Sequence, residues 1–120
     1  MARLGKIPMR GDGWNADYPD AENFMQLLYG PNAGQENQSR FNLPEFNRLF
    51  DAARVLPDSP ERTKHFDAMT ELVVAYAPWR LTLHRLEDSV AHPWVRQHQP
   101  HPIRSQTWMY VDVEGERSSK

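Results

Sequence analysis

Ten prolines in 120 residues set the limits on what this chain can fold into. Each one fixes its own backbone and lacks an N–H, so, with six glycines besides, the elements must be short and much of the chain must be loop. The interval from Pro60 to Pro78 reads as the clearest helix. Ser59 is placed to cap it, Pro60 suits the first helical position, and Glu61 suits the positive end of the helix dipole. Phe66, Met69, Leu72, Val73 and Tyr76 recur at helical spacing, with Arg62, Lys64, Asp67 and Glu71 elsewhere around the cylinder. A second helix is expected from Pro44, with Phe46, Leu49, Phe50 and Ala53 as its apolar stripe. An earlier helix starts near Asp20, whose carboxylate is placed to accept from the N–H groups of Glu22 and Asn23. Its face carries Phe24, Leu27 and Leu28, and Gly30-Pro31-Asn32 stops it.

Outside these segments the pattern changes. Ile7-Pro8-Met9-Arg10 allows at most a short strand entering the turn Gly11-Asp12-Gly13, and residues 31–42 are polar enough for a surface loop. Beyond Pro78, Leu81, Leu83 and Arg85 alternate with Arg80, Thr82 and His84, which predicts a strand with one buried face. Val90, Trp94 and Val95 fall in short extended pieces around Pro93. His98-Gln99-Pro100-His101-Pro102 cannot be regular, Trp108, Tyr110 and Val111 to Val113 suggest a final strand, and residues 114–120 form a polar tail. A strand, three helices and further strands make an α/β or α+β piece, one domain in size.

The bulk properties exclude several functions. A net charge of −2 and a pI near 6.2, with no run of Lys or Arg, argue against a nucleic-acid binder, which needs a basic surface to displace counterions. The mean hydropathy of −0.77 is on the polar side, and no apolar run is long enough to span a bilayer. With no cysteine there is no disulfide, thiolate ligand or Cys nucleophile. The first residues carry some positive charge but no apolar stretch after it, so no signal peptide is expected in this chain.

Asp12, Asp17 and Asp20 lie close together beside Trp14 and Tyr18. Two of them could pair as general acid and base, one with its pKa raised by the aromatics. Against that, Asp20 reads as a helix cap and Asp12 as a turn residue, which leaves Asp17 alone, with no accompanying nucleophile, metal or oxyanion site. A hydrolase pairing Asp17 with His84 is a competing reading. His92, His98 and His101 raise the question of a metal, but their spacing fits no helical pair and they sit among prolines, as loop histidines in solvent do. His65, next to Phe66, is expected at the surface. Gly11-Asp12-Gly13 lacks the remaining glycines and the Lys of a phosphate loop.

The ordered set of motifs goes further. Gly13-Trp14-Asn15-Ala16-Asp17-Tyr18-Pro19-Asp20-Ala21-Glu22-Asn23-Phe24 resembles the signature of family 5 extracellular solute-binding proteins, the dipeptide- and oligopeptide-binding subunits of ABC importers. The likeness continues through Leu28-Tyr29-Gly30-Pro31-Asn32, Glu36 to Phe41, Pro44-Glu45-Phe46-Asn47-Arg48-Leu49-Phe50, Pro60-Glu61-Arg62 and Ala77-Pro78-Trp79. The chain departs from the pattern at Leu43, where a capping Asn is usual, at Asn47 in place of Asp, and over 92–104 apart from Trp94-Val95.

The resemblance implies the C-terminal part of a type II periplasmic-binding-protein-like fold: three helices and short strands in an incomplete second lobe. Residues of about 8–105 would belong to that lobe, about 106–113 to a final strand returning towards the first lobe, and 114–120 to a tail. It implies a protein that is not an enzyme, needs no cofactor or metal, and captures a peptide or related solute in the periplasm or at the cell surface for the permease subunits of an ABC importer. Asp17 is the residue that corresponds to the family's contact with the peptide's α-amino group. Trp14 would supply an apolar wall and Tyr18 packing or a hydroxyl. The alternative is a small freestanding α/β interaction module with no transport role.

Overall fold

The computed structural model describes residues 6, 8–84, 86, 88–101, 103 and 107–114. The chain divides into two units, residues 1–81 and 82–120. In the first, α1 (Glu22–Met25) runs into a 3-10 turn at Gln26–Leu28, followed by α2 (Pro44–Arg54) and α3 (Pro60–Tyr76). In the second, two-residue strands β1 (Val95–Arg96) and β2 (Asp112–Val113) pair antiparallel, Val95 opposite Val113. The described part is therefore mixed helix and strand. No helix among the described residues is long and apolar enough to cross a membrane.

The two longer helices follow from their sequences. Ser59 Oγ accepts from Arg62 N at 3.2 Å at the start of α3, and Ala77 closes it in the left-handed region, at φ 45°. Leu43, which precedes α2, offers no capping oxygen, and that helix starts on Pro44 without a side-chain cap. Phe46, Phe50 and Ala53 from α2 meet Phe66 and Met69 from α3 and Leu28 from the turn after α1 in one buried cluster. Burying a side chain such as Phe46, which is 0% exposed, stabilises the fold by about 1.5–3 kcal/mol.

Several expectations need correction. Leu27 and Leu28 are buried as expected, but Phe24 is exposed and Asn23 is buried instead. That helix is also short. Tyr29 is extended at ψ 121°, and Gly30 presses so closely on Asn42 and Asn47 that a Cβ there would lie 2.1 Å from Asn42 Oδ1. Asn47 Oδ1 accepts from Gly30 N at 2.8 Å, fixing that approach. Tyr76 and Val74 are exposed, so the apolar stripe of α3 is buried at its first turns and open at its end. The polar loop 31–42 is pinned from inside: Asn37, 0% exposed, donates from Nδ2 to Tyr29 O and Phe41 O.

The strand expected around Leu81 and Leu83 is absent among the described residues, and both side chains are at least 80% exposed. Alternation supplies a pattern, but a strand also needs a neighbouring edge to take its N–H and C=O groups. Arg85 lies outside the described residues, as do Ile7 and Pro102, and residues 8–10 form no strand. The final strand is shorter than expected. Thr107–Tyr110 is a 3-10 turn, and only Asp112–Val113 pairs. Of the polar tail, 115–120 lies outside the described residues.

Candidate functional site

The segment from Gly13 to Asp20 has no regular structure, and two side chains from outside it give it shape. The first is Asn23 of α1. Its Oδ1 accepts from Trp14 Nε1 at 2.7 Å and from Asp17 N at 3.1 Å, and its Nδ2 donates to Asp17 Oδ2 at 3.2 Å. Fully buried, this amide meets its hydrogen-bonding needs by folding the loop around itself, as a buried polar group must.

The second is Arg62 of α3. Its guanidinium meets both carboxylate oxygens of Asp20, at 2.8 and 2.9 Å, while Nε donates to Ala53 O and Glu22 Oε2 lies 3.5 Å away. The guanidinium also covers the Phe66 ring, 4.7 Å from its centroid. The hydrogen bonds from Arg62 hold the Asp20 carboxyl below its usual range, partial burial opposes this, and the Glu22 N–H and the positive charge of Arg62 add to the lowering. Arg62 is raised in turn, first by its hydrogen bond to Asp20.

The aspartates now separate by role. Asp12 is a turn residue: its carboxylate accepts from Gly13 N and pairs with Arg10. Asp20 does reach the N–H of Glu22, at 2.8 Å, but Asn23 N bonds the Asp20 backbone carbonyl instead, and Ala21 holds the cap position. Its main partner is an arginine 42 residues away. Asp17 is exposed and held by Asn23. It therefore has a structural tie, contrary to the expectation that it stands alone. Trp14 and Tyr18 are 38% and 40% exposed.

Asn23 and Arg62 were missed as site residues in the sequence. Arg62 carried a usable signal: it precedes Phe66 and Met69 by four and seven residues, on the same stripe of α3. An asparagine inside an amphipathic segment gives no comparable sign of being buried.

The histidines have local partners. His92 stacks on Trp94 with ring centroids 4.1 Å apart, His98 Nε2 pairs with Ser89 Oγ at 2.6 Å, and His101 Nδ1 accepts from Ile103 N. Among the described residues no three His, Asp or Glu side chains gather as a metal site would require. His65 is half-buried, and His84 is exposed within the second unit. An open groove lines the start of α3, between Asp58 and Asp67, and includes none of Trp14, Asp17 and Tyr18.

Known proteins offer one informative likeness. No family profile matches the chain, and no solved structure does. Over 115 residues, 95% of its length, the chain is 30% identical to Heme-binding protein A of Haemophilus influenzae. It spans about a fifth of that protein, 21% of its length. The relative is named for binding a small molecule rather than for transforming one.

Proposed function

We propose that the chain is the C-terminal portion of a solute-binding protein, which captures a small solute outside the cytoplasm and passes it to the permease subunits of an ABC importer. The observation that carries this reading is the Trp14–Asp17–Tyr18 loop: one held carboxylate in a segment that also bears two partly exposed aromatic rings, in a chain 30% identical to part of a protein named for ligand binding. On this reading the fold is the incomplete second lobe of a type II periplasmic-binding-protein-like architecture, with residues around 106–113 returning towards the first lobe. Such proteins close by a hinge and bury the ligand between lobes.

For the solute we propose a peptide or related amine. The Asp17 carboxylate pairs with its ammonium, Trp14 forms an apolar wall, and Tyr18 adds packing. A charge-assisted hydrogen bond of this kind is strong in a closed cleft, and the same carboxylate is costly there when unpaired. Replacing Asp17 by Asn in a longer protein that carries this sequence weakens dipeptide binding at least tenfold, worth about 1.4 kcal/mol. Unchanged affinity would overturn the assignment of Asp17.

Heme is the second reading, and it rests on the name of the relative. The chemistry at the loop is less suited to it, because heme carries anionic propionates that a carboxylate repels. A Soret-band titration with hemin separates the readings: saturable binding abolished by removing Trp14 favours heme, and dipeptide binding lost with Asp17→Asn favours an amine.

A further inference from the structure

We infer that Asn23 is the positioning residue that holds Asp17 and Trp14 in place before any ligand arrives; its functional meaning rests on the reading of Asp17 as a ligand anchor. The neighbours of one amide fix its orientation. Two N–H donors, Trp14 Nε1 at 2.7 Å and Asp17 N at 3.1 Å, converge on the same side-chain atom of Asn23. That atom must be the oxygen, because an NH2 group there would face two other donors. The amide nitrogen is thereby turned towards Asp17 Oδ2, at 3.2 Å.

The backbone of Asn23 is fixed as well. Its N–H donates to Asp20 O, its C=O accepts from Gln26 Nε2, and its side chain is 0% exposed. With every polar atom engaged and no room to rotate, the amide transmits the rigidity of α1 to an exposed loop. An anchor already held needs no ordering when it binds, and avoided ordering appears as affinity. Asn23 touches the carboxylate but leaves Asp17 Oδ1 with no partner within the loop for a ligand N–H to replace.

The test needs no ligand, so its failure is distinct from failure of the amine reading. Proton–nitrogen correlation spectra of the 120-residue chain are recorded across the acid range. We expect the Asn23 side-chain amide protons to shift as Asp17 protonates, and the Trp14 indole proton to shift with them. Asp20 also titrates nearby, and its backbone carbonyl accepts from Asn23 N, so Asp17→Asn supplies the control. This exposed change should remove the Asp17 step from both signals and leave the rest. Superimposable traces in the two proteins would overturn the inference.

Asn23→Asp gives a second measurement. Its carboxylate still accepts from Trp14 and Asp17 N, but it faces the Asp17 carboxylate where the amide once donated. Two carboxylates this close cannot both ionise easily. One carboxyl of the pair should therefore titrate above the ordinary range, and adding Asp17→Asn should abolish that upward shift. An unshifted pair in Asn23→Asp would also refute the positioning role.

Discussion

Large apolar side chains occur in both units, but it is in the first that a set of them closes into a buried cluster. Leu28, Phe46, Phe50 and Met69 are at most 3% exposed, whereas Leu83, Leu86 and Val90 are 80% exposed or more. The difference is not one of composition but of where each segment finds its partner. A helix satisfies its backbone internally, so α2 and α3 need only a five-residue connection to lay one stripe on the other. An extended segment must borrow hydrogen bonds from another edge. Among the described residues of the second unit only Val95–Arg96 and Asp112–Val113 supply that to each other, and a pair of this length buries almost nothing.

The largest effect is expected in the core of the first unit. Phe46→Ala removes a ring packed edge-on against Phe41, with centroids 5.5 Å apart, and should cost about 3–5 kcal/mol. A domain with a single small cluster has little more than that in reserve. Urea unfolding followed by helical circular dichroism should show the transition moved far towards zero denaturant. A shift equivalent to less than about 1 kcal/mol would mean that the cluster is not what holds the helices together.

The next effect concerns the tie between the loop and α3. Arg62→Met keeps most of the apolar stem over Phe66 and removes the charge, leaving Asp20 and Ala53 O without their partner. We expect a loss of about 2–3 kcal/mol at neutral pH, below the range for fully buried pairs because the Asp20 side chain is 30% exposed. The pH dependence has a definite sign. The folded protein holds the Asp20 carboxyl below its usual value, so this contribution is complete at neutral pH. It disappears as the pH falls from about 4 through the lower folded value. Wild type and Arg62→Met should therefore converge in stability under acid conditions. Parallel curves would place the effect of Arg62 in packing rather than charge.

These residues also show how far the sequence could be read. Ser59, Pro60 and the stripe through Phe66 and Met69 were legible because capping and helical period are local, and α2 was legible for the same reason. The loop was legible as a motif, but its mechanics were not. Nothing short of tertiary structure reveals that Asn23 turns inward while Phe24 faces solvent, or that Asp20 answers to Arg62 as well as to its own helix. The alternation of Leu81 with Leu83 was a sound pattern that found no edge to pair with. Period states which residues prefer burial, and only a partner decides whether they obtain it.

The smallest expected effect is the most direct test of that last point. Leu83→Ser replaces an apolar side chain that is 80% exposed, in a stretch with no ladder hydrogen bonds. Surface changes away from packed features stay within about 0.5 kcal/mol, so the unfolding midpoint of the 120-residue chain should not move. In a longer protein where the alternating segment pairs with a further strand, the same change should cost more, about 1–3 kcal/mol, because the leucine would then face a sheet interior. A measurable loss in the short chain alone would show that residues around Leu83 are packed in solution, and the contrast between the two units would narrow accordingly. No change in either setting would leave the alternation without structural use, and the proposed lobe would have to close by other strands.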